Sequence, residues 1–311
     1  MARPFTPQPL EQHALLDSGR GEKLESFAGV LLRRPDPQAL WERSLDEGAW
    51  DAAHLRFVRE SDRGGRWEAS RAAPRKVRGA EPAWTLGHGG ATFHVRPTPF
   101  KHVGLFPEQV TNWELVRALV GAFGVERPRL LNLFGYSGAA SVVAAQAGYE
   151  VTHVDASKTA ITWAVDNAEA SGLGRSAMRV VCEDAARFAR REARRGSRYE
   201  VILLDPPHYG RGPKGEVWRL EEHLAELIAT VGELVAERAL VILSTYAVGA
   251  SPLTFDRLLS RAGGGLEGGD VVARELALLE GGGDRLLPAG FCARWGRGIV
   301  LPPDDPSGAA R

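Results

Sequence analysis

The sequence predicts an α/β fold, a doubly wound and mostly parallel sheet preceded by a smaller β-rich domain. Three observations support this prediction. From about residue 112, strand-like and helix-like segments alternate, which is typical of β-α-β crossovers. Before about residue 100, short β-like segments are separated by Gly, Pro and charged residues. Near the carboxyl terminus, DVVARELALLE and LLPAGFCARWG flank a glycine-rich turn and predict a hairpin that closes the sheet edge. We therefore expect two domains, residues 1–105 and 106–311.

Each element follows from its local pattern. In the first domain, FAGVLLRRP, HLRFVRE, RWEAS and ATFHVRPTP predict strands, and ALWERSLDEGAW predicts one helical piece. In the second domain, the predicted strands are RLLNLF, EVTHVD, AMRVVCED, YEVILLD and ALVILST. The predicted helices are NWELVRALVGAFG, SGAASVVAAQAG, ASKTAITWAVDNAEASG, AARFARREARRG and GEVWRLEEHLAELIATVGELVAE.

The composition is that of a soluble globular protein. Lys+Arg and Asp+Glu both number 39, so no global charge attracts nucleic acid or a membrane. Cys182 and Cys292 lie far apart in sequence, which favours a reducing compartment without a disulfide framework, and we expect both to be buried. MARPFTPQPL lacks the apolar core of a secretory signal, and no apolar run is long enough to span a bilayer. These features predict a cytoplasmic protein.

Glycines and acids stand where three consecutive predicted strands end. Gly135 and Gly138 follow the first strand, where they either let backbone amides approach a ligand or allow close packing. Asp155 ends the second strand and is suited to accept hydrogen bonds from two ribose hydroxyls. Glu183 and Asp184 end the third strand, where a carboxylate can accept from an adenine amino group. Helix capping is the alternative for each acid, but the carboxyl ends of parallel strands converge on one crevice.

The segment ILLDPPHYG stands at the end of the fourth predicted strand. Because proline cannot donate to a sheet ladder, the strand must end there. A rigid turn is one interpretation. A ligand site is the other, because Asp205, Pro206, Pro207, His208 and Tyr209 reach the same edge as the acids above.

These segments resemble a known family. LNLFGYSGAAS, VTHVDAS, VVCEDAARF, VILLDPPHYG and VILSTYA, in this order, resemble the class I S-adenosylmethionine (SAM)-dependent methyltransferases over about residues 110–250. FGYSGAAS and DPPHYG resemble the branch of ribosomal-RNA large-subunit base methyltransferases of the I and K/L types. FKHVGLFPEQVTNW is similar to a segment that touches the cofactor in that branch, which implies a contact for Glu108 or Gln109. The resemblance implies an enzyme with a seven-stranded methyltransferase sheet, SAM as cofactor and no metal.

The resemblance also implies a role for each site residue. The cofactor-binding residues that it implies are Phe134, Gly135, Gly138, Asp155, Asp184, Ala185 and Asp205. The residues that it implies at the methyl acceptor are Asp205, Pro206, Pro207 and Tyr209, with His208 as a weaker candidate for stacking or proton handling. Asp205 and the following carbonyl would hydrogen-bond the acceptor, and Tyr209 would stack on a planar substrate. The role of Lys214 stays open.

The expected reaction is methyl transfer to a nucleobase nitrogen of RNA, with ribosomal RNA favoured. The carbon-5 cytosine enzymes of this branch carry a nucleophilic cysteine where this chain has Ser244, Thr245 and Tyr246, which disfavours carbon methylation. Basic segments, residues 56–78 and RFARREARRGSR, are compatible with RNA or with a solvated charged surface. A methyltransferase for a protein amide or small molecule is one alternative, and a non-catalytic SAM- or RNA-binding protein is another. The oligomeric state is open.

Overall fold

The computed structural model describes residues 3–6, 10–61, 64–78, 82–213, 215–246, 249–261, 266–281 and 283–302. The chain divides into two compact units. The α/β unit comprises Met1–Phe5, Thr111–Leu276 and Ala289–Arg311, and the β unit comprises Thr6–Val110 and Ala277–Pro288. The domain boundaries that the sequence predicts, residues 1–105 and 106–311, remain a prediction. Lys214 lies outside the described residues.

The β unit is built on a five-stranded sheet. Its elements in chain order are β1 His13–Gly19, β2 Glu22–Phe27, β3 Val30–Pro35, α1 Glu47–Asp51, β4 Leu55–Ser61, β5 Gly64–Ala69, β6 Trp84–His88 and β7 Ala91–Val95, with short 3₁₀ helices at Arg75–Val77 and Pro107–Gln109. The sheet order is β1-β2-β3-β4-β5, with β3 parallel to β4 and the other neighbours antiparallel. β6 and β7 form a separate antiparallel ribbon. The β-rich amino-terminal region that the sequence predicts is confirmed.

The predicted helical piece ALWERSLDEGAW is much shorter than expected. α1 begins only after Asp46, whose side chain caps it by accepting a 2.9 Å hydrogen bond from the Ala49 N–H. The preceding residues run as irregular chain instead. There the N–H groups of Ser44 and Leu45 donate to the buried carboxylate of Asp17. The helical prediction was therefore wrong for the first part of this segment, because a tertiary hydrogen bond takes its backbone donors.

The carboxyl-terminal hairpin segment joins the β unit through the same carboxylate. Arg285 forms an ion pair with Asp17 and another with Glu280, with a 2.6 Å Nε–O distance in the second. Glu280 also accepts from the hydroxyl of Ser18. Asp17, Ser18 and Glu280 are all buried. Their polar groups are therefore satisfied by one another and by Arg285 instead of by water.

The α/β unit contains a seven-stranded sheet with helices between its strands. Its elements are α2 Val110–Ala118, a 3₁₀ helix at Val120–Phe123, β8 Arg129–Leu133, α3 Ala139–Ala147, β9 Glu150–Asp155, α4 Lys158–Ala170, β10 Met178–Cys182, α5 Ala185–Arg194, β11 Tyr199–Leu204, β12 Tyr209–Arg211, β13 Val217–Arg219, α6 Leu220–Gly232, β14 Val235–Thr245, α7 Pro252–Arg261, β15 Asp270–Leu279 and β16 Leu286–Arg297. Of these elements, Val110 and residues 277–279 and 286–288 are counted with the β unit. The sheet order is β10-β9-β8-β11-β14-β16-β15. The first five strands in that order are parallel, and β16 is antiparallel to β14. The predicted doubly wound sheet and its antiparallel end are confirmed.

The strand register brings the candidate residues to one edge. Leu133, the last residue of β8, pairs with Leu204, the last of β11, and with Val154 of β9. Asp155 pairs with Cys182, the last residue of β10. The loops that follow these four strands therefore leave the sheet side by side.

The predicted long helix over residues 215–237 is corrected by the structure. Residues Val217–Arg219 form β13, which pairs antiparallel with β12, and α6 spans only Leu220–Gly232. Gly215 has a φ of 91°, a left-handed conformation that suits a hairpin turn and not a helix. Val235 already belongs to β14.

The core of the α/β unit lies between the sheet and helices α5 and α6. Ile202 and Val241 from the central strands pack there with Phe188 of α5 and Ile228 of α6, all fully buried. Burial of each such side chain stabilises the fold by about 1.5–3 kcal/mol, which gives the strand ends a rigid support. Within the described residues, no helix has the length and apolar content to cross a membrane.

Candidate functional site at the carboxyl ends of the parallel strands

The loop after β8 has an unusual backbone. Phe134 and Tyr136 have φ angles of 58° and 48°, and Gly138 has a φ of 79°. Left-handed conformations are uncommon for bulky residues and concentrate at functional sites, where the surrounding structure holds them in place. Here Tyr136 is held by its own N–H, which donates to Asp155 Oδ2 at 2.9 Å.

The two glycines of this loop are required by packing. A Cβ on Gly135 would lie 2.4 Å from ring atoms of His153, and one on Gly138 would lie 2.7 Å from the Cβ of Ala164. The loop thus packs directly on β9 and α4, which supports the packing interpretation of both glycines. Their contribution to a ligand through backbone amides stays a prediction.

His153 is buried beneath that loop. Its Nδ1 lies 3.0 Å from the hydroxyl of Ser141, which also accepts a 2.9 Å hydrogen bond from the side chain of Asn132. Burial lowers the pKa of His153 to about 4, so the ring is neutral near pH 7. Within the part of the chain that the structure describes, its Nε2 is buried without a hydrogen-bond partner. Sequence reasoning missed this residue, because a histidine inside a strand carries no distinctive local signal.

Asp155 keeps acceptor capacity for a ligand. Its Oδ2 accepts from the N–H of Tyr136 at 2.9 Å and its Oδ1 from the N–H of Ser157 at 2.8 Å, and the backbone of Ala156 also contributes a hydrogen bond. A carboxylate offers about four acceptor positions, so these bonds leave capacity for another donor. Burial raises the pKa of Asp155, although its backbone hydrogen bonds oppose this shift. Ser157, and not Asp155, caps α4.

Asp184 does act as a helix cap. Its Oδ1 accepts from the Arg187 N–H at 2.8 Å at the start of α5, and the residue is buried. Ala185 is the first residue of α5 and is also buried. The neighbouring Glu183 is engaged by Arg187 and Arg191 in ion pairs. The capping interpretation therefore holds for Asp184, and its second oxygen is the one that a ligand would use.

The Asp-Pro-Pro segment follows β11 directly. Asp205 is exposed, Pro206 is buried and Pro207 is exposed. The chain then continues into β12, which begins at Tyr209 and pairs with β13. The carbonyl oxygen of His208 accepts a 3.0 Å hydrogen bond from the N–H of Leu220, which ties the segment to the start of α6.

Trp218 anchors the Asp-Pro-Pro segment. Its Nε1 donates a 2.7 Å hydrogen bond to the carbonyl oxygen of Pro207, and its ring centroid lies 4.9 Å from that of Phe134. A single buried side chain thus contacts both the loop after β8 and the Asp-Pro-Pro segment. Sequence reasoning missed Trp218 because it assigned this stretch to a helix.

The chain is similar to known proteins over this region and beyond it. Residues 108–254 match the family model described as Conserved hypothetical protein 95. The ribosomal RNA large subunit methyltransferase K/L of Shewanella baltica (strain OS155) is 37% identical over 155 residues, which cover 47% of this chain and 21% of that protein. The protein of the same name from Shewanella frigidimarina is 31% identical over 157 residues, or 50% of this chain and 21% of that protein. This chain therefore spans about a fifth of the length of these curated relatives.

A solved structure of 39% identity matches almost the whole chain. The SAM-dependent methyltransferase from Agrobacterium tumefaciens is 39% identical and superimposes with a TM-score of 0.86, over 95% of this chain and 94% of that one. This chain belongs to the SAM-dependent methyltransferases. The predicted family, enzyme class and SAM cofactor are confirmed.

The acceptor capacity of Asp155 is compatible with the ribose of SAM. Asp155 keeps acceptor capacity at the strand end where a doubly wound sheet binds nucleosides, which suits a ribose hydroxyl. The roles of the individual cofactor-binding residues stay predictions.

His208 lies at the surface of the methyltransferase. Its Nδ1 is 3.3 Å from Glu221, and both side chains are about two-thirds exposed, 64% and 65%. This geometry is that of a histidine exposed on a surface turn. A role of His208 in stacking or proton handling stays a prediction.

The two cysteines differ in their environments. Cys292 on β16 is buried opposite Ser244 of β14, and burial raises the pKa of its thiol. Cys182 is exposed at the end of β10, the edge strand, so the expectation that both cysteines are buried was wrong for Cys182. An edge strand lacks a neighbour on one side, which is why its last side chain reaches solvent.

The arginines of α5 are largely neutralised by acids. The ion pairs along and after this helix are Arg187 with Glu183 and Glu216, Arg190 with Glu226, Arg191 with Glu183, and Arg195 with Glu192. The basic appearance of RFARREARRGSR in sequence therefore overstates the charge that it offers to a nucleic acid. Among the described residues, no group of three or more His, Cys, Asp and Glu side chains is arranged to hold a metal ion.

Proposed function

We propose that this methyltransferase transfers a methyl group to a nucleobase nitrogen of RNA, with ribosomal RNA as the favoured substrate. The observation that carries the proposal is the exposed Asp205 at the end of β11, followed by a proline segment that Trp218 anchors. The family-model match, residues 108–254, spans the candidate site, and the two Shewanella relatives are named as ribosomal RNA methyltransferases. An RNA substrate of this kind implies a cytoplasmic location.

In this proposal the cofactor is held at the ends of β8, β9, β10 and β11. The residues assigned to it are Phe134, Gly135, Gly138, Asp155, Asp184, Ala185 and Asp205. Asp155 accepts hydrogen bonds from the ribose, and Asp184 accepts one from the adenine amino group through the oxygen that does not cap α5. Phe134 and Ala185 flank the adenosine.

The acceptor is held by the Asp-Pro-Pro segment. When bound, SAM would supply an electrophilic methyl group on a positively charged sulfur: the acceptor nitrogen would bond to the methyl carbon as the carbon–sulfur bond breaks, so that the neutral thioether leaves and the methylated nitrogen releases one proton. The Asp205 carboxylate and the Pro206 carbonyl accept hydrogen bonds from the acceptor nitrogen and direct its lone pair at the methyl group. The proline rings restrict the backbone, so these acceptors need little reorganisation. Tyr209, which is 49% exposed, stacks on the base.

Nitrogen is favoured over a ring carbon as the acceptor. Methylation at a ring carbon requires a covalent nucleophile, and a cysteine serves only as its thiolate. At the end of β14 stand Ser244 and Thr245, and the adjacent Cys292 thiol has a raised pKa because it is buried. Neither arrangement supplies a thiolate near pH 7.

A protein amide or a small molecule is the second candidate substrate. The observation in its favour is electrostatic, because the chain has no net charge and Arg187, Arg190 and Arg191 of α5 are paired with acids. An Asp-Pro-Pro-aromatic segment holds an amide nitrogen by the same hydrogen bonds that would hold a base.

The test is transfer of labelled methyl from SAM to total RNA, ribosomal subunits and cell protein. Wild type is compared with Asp205→Ala, and with Glu226→Ala as a matched removal of an exposed carboxylate from α6. We expect label in RNA that is lost with Asp205→Ala and retained with Glu226→Ala. Label in protein or small molecules alone would remove the RNA substrate, and label in RNA that survives Asp205→Ala would remove the proposed acceptor site.

A further inference from the structure

β12 and β13 form a two-stranded ribbon that begins immediately after the acceptor segment; we call residues 209–211 and 217–219 the substrate ribbon. Gly210 pairs with Trp218, whose side chain is buried. Because side chains alternate along a strand, the neighbours of this pair lie on the opposite face. That face carries Tyr209, Arg211, Val217 and Arg219, all exposed.

The exposed face combines apolar and cationic side chains. Tyr209 and Val217 are 49% and 46% exposed, which is high for side chains of their size and polarity. Arg211 pairs across the ribbon with Val217, and its Nε donates a 3.0 Å hydrogen bond to the hydroxyl of Tyr209. A flat ring beside a guanidinium is the combination that binds single-stranded nucleic acid, because bases stack on the ring and phosphates pair with the cation.

Arg211 also differs from Arg187, Arg190 and Arg191 of α5, each of which forms an ion pair with an acid. Within the part of the chain that the structure describes, Arg211 has no acidic partner at ion-pair distance. Arg190, by comparison, lies 3.1 Å from Glu226, and Arg195 lies 3.1 Å from Glu192. A phosphate that binds Arg211 therefore displaces no carboxylate, whereas one that binds Arg187, Arg190 or Arg191 must compete with acids.

We propose that the exposed face of the substrate ribbon binds the single-stranded RNA that flanks the target base, with the Arg211 guanidinium on a phosphate and Val217 against an adjacent sugar or base. This inference rests on the proposed function for its ligand class. Trp218 holds the ribbon to the acceptor segment through Pro207, so RNA bound to the ribbon enters the site in a fixed register.

The test is the salt dependence of binding to a fluorescein-labelled, 20-nucleotide single-stranded RNA of mixed sequence. The proteins are the wild-type chain, Arg211→Gln, Val217→Ser and, as the matched control, Arg190→Gln. Each phosphate contact on a single strand contributes about 0.7 to the slope of log K against log salt. We expect Arg211→Gln to reduce that slope by about 0.7, Val217→Ser to weaken binding at an unchanged slope, and Arg190→Gln to match wild type. An unchanged slope in Arg211→Gln, an equal change in Arg190→Gln, or no RNA binding by the wild type would overturn the inference.

Methyl transfer measured on the same variants separates this inference from the proposed function. If RNA methylation requires Asp205 but Arg211→Gln alters neither the slope nor the KM for RNA, the ribbon inference is wrong and the proposed function stands. If Arg211→Gln reduces the slope but RNA is never methylated, the ribbon binds RNA and the proposed function is wrong. A raised KM for a protein substrate with an unchanged RNA slope would assign the ribbon to a protein partner and overturn the inference.

Discussion

The indole nitrogen of Trp218 donates a 2.7 Å hydrogen bond to the carbonyl oxygen of Pro207. The same indole packs against Phe134, so one buried side chain links the loop after β8 with the Asp-Pro-Pro segment. The hydrogen bond fixes a peptide unit two residues from Asp205. We therefore expect Trp218 to position the acceptor residues without touching the substrate.

Trp218→Phe retains an aromatic ring beside Phe134 but removes the donor to Pro207. We expect kcat to fall about tenfold, equivalent to about 1.4 kcal/mol of transition-state stabilisation, because the acceptor hydrogen bonds lose their geometry. The dissociation constant for SAM should change little. Steady-state methyl transfer and calorimetric SAM titration measure the two quantities.

Tyr199→Phe is the matched control for this substitution. It also removes a buried side-chain donor, since the Tyr199 hydroxyl donates to Glu192 at 3.1 Å in the same unit. Both variants should lower the free energy of unfolding by about 1–2 kcal/mol, but only Trp218→Phe should lower kcat. Equal kcat losses would mean that Trp218 acts through stability alone.

Asp155→Asn and Asp184→Asn should differ in their effects on SAM binding. Asparagine caps a helix as well as aspartate, so Asp184→Asn should leave α5 intact and weaken SAM binding about tenfold at most. Asp155 accepts a backbone N–H on each oxygen, so an amide there directs its NH₂ at one of these donors. We expect Asp155→Asn to weaken SAM binding by about 100-fold, the effect of about 2.7 kcal/mol. A calorimetric Kd for Asp155→Asn close to wild type would exclude it from the cofactor site.

Gly135→Ala should destabilise the α/β unit. The added methyl would lie 2.4 Å from the ring of the buried His153, and forcing extra atoms into a packed site costs about 1–3 kcal/mol. Gly121→Ala is the matched control, because a Cβ there meets nothing within 4 Å. Urea unfolding should show a loss for Gly135→Ala and no loss for Gly121→Ala. The packing interpretation fails if the two midpoints agree.

The stability of the chain should depend on pH through His153. Its pKa is about 4 in the folded state, against 6.5 for the unperturbed side chain, because burial disfavours the charged ring. Between these values the unfolded chain binds a proton that the folded chain does not, so stability rises with pH across this window and is lost as the pH falls. The contribution of His153 is roughly 3 kcal/mol between pH 7 and pH 4.

His153→Asn tests this contribution, because asparagine cannot titrate there. Burial also lowers the pKa of His102, to about 3, so some pH dependence should remain. We measure the free energy of unfolding in urea between pH 4.5 and 7.5. For His153→Asn, the slope of this free energy against pH should correspond to up to one proton fewer taken up on unfolding than for wild type. Parallel plots for the two proteins would show that His153 is not the group responsible.

Much of the α/β unit follows from its sequence. The strands ending at Leu133, Asp155, Cys182 and Leu204 were predicted from short apolar runs separated by helical periodicity. Such patterns arise because each segment must bury one face or both faces locally, so neighbours in sequence are enough to specify them. The Asp-Pro-Pro segment was predicted for a similar reason, since proline ends a strand whatever surrounds it.

Other features depended on partners outside the segment itself. The stretch Val217–Arg219 has the composition of a helix start, yet it forms β13 because β12 supplies a pairing partner and Gly215 supplies the turn. The amino-terminal helical prediction failed before Asp46 because Asp17 takes the backbone donors of Ser44 and Leu45. In both places a tertiary hydrogen bond outweighed the local propensity.

The sequence by itself determined the order of strands and helices, the acids at the strand ends and the Asp-Pro-Pro segment that resembles the methyltransferases. Only the tertiary structure decided that Trp218 supports Pro207, that His153 requires glycine at position 135, and that acids pair with three of the four arginines of α5 while Arg211 faces solvent. The physical reason is the range of the interactions. Backbone preference and side-chain periodicity act between neighbours in sequence, whereas hydrogen bonds, close packing and ion pairs act between whichever groups the fold brings together.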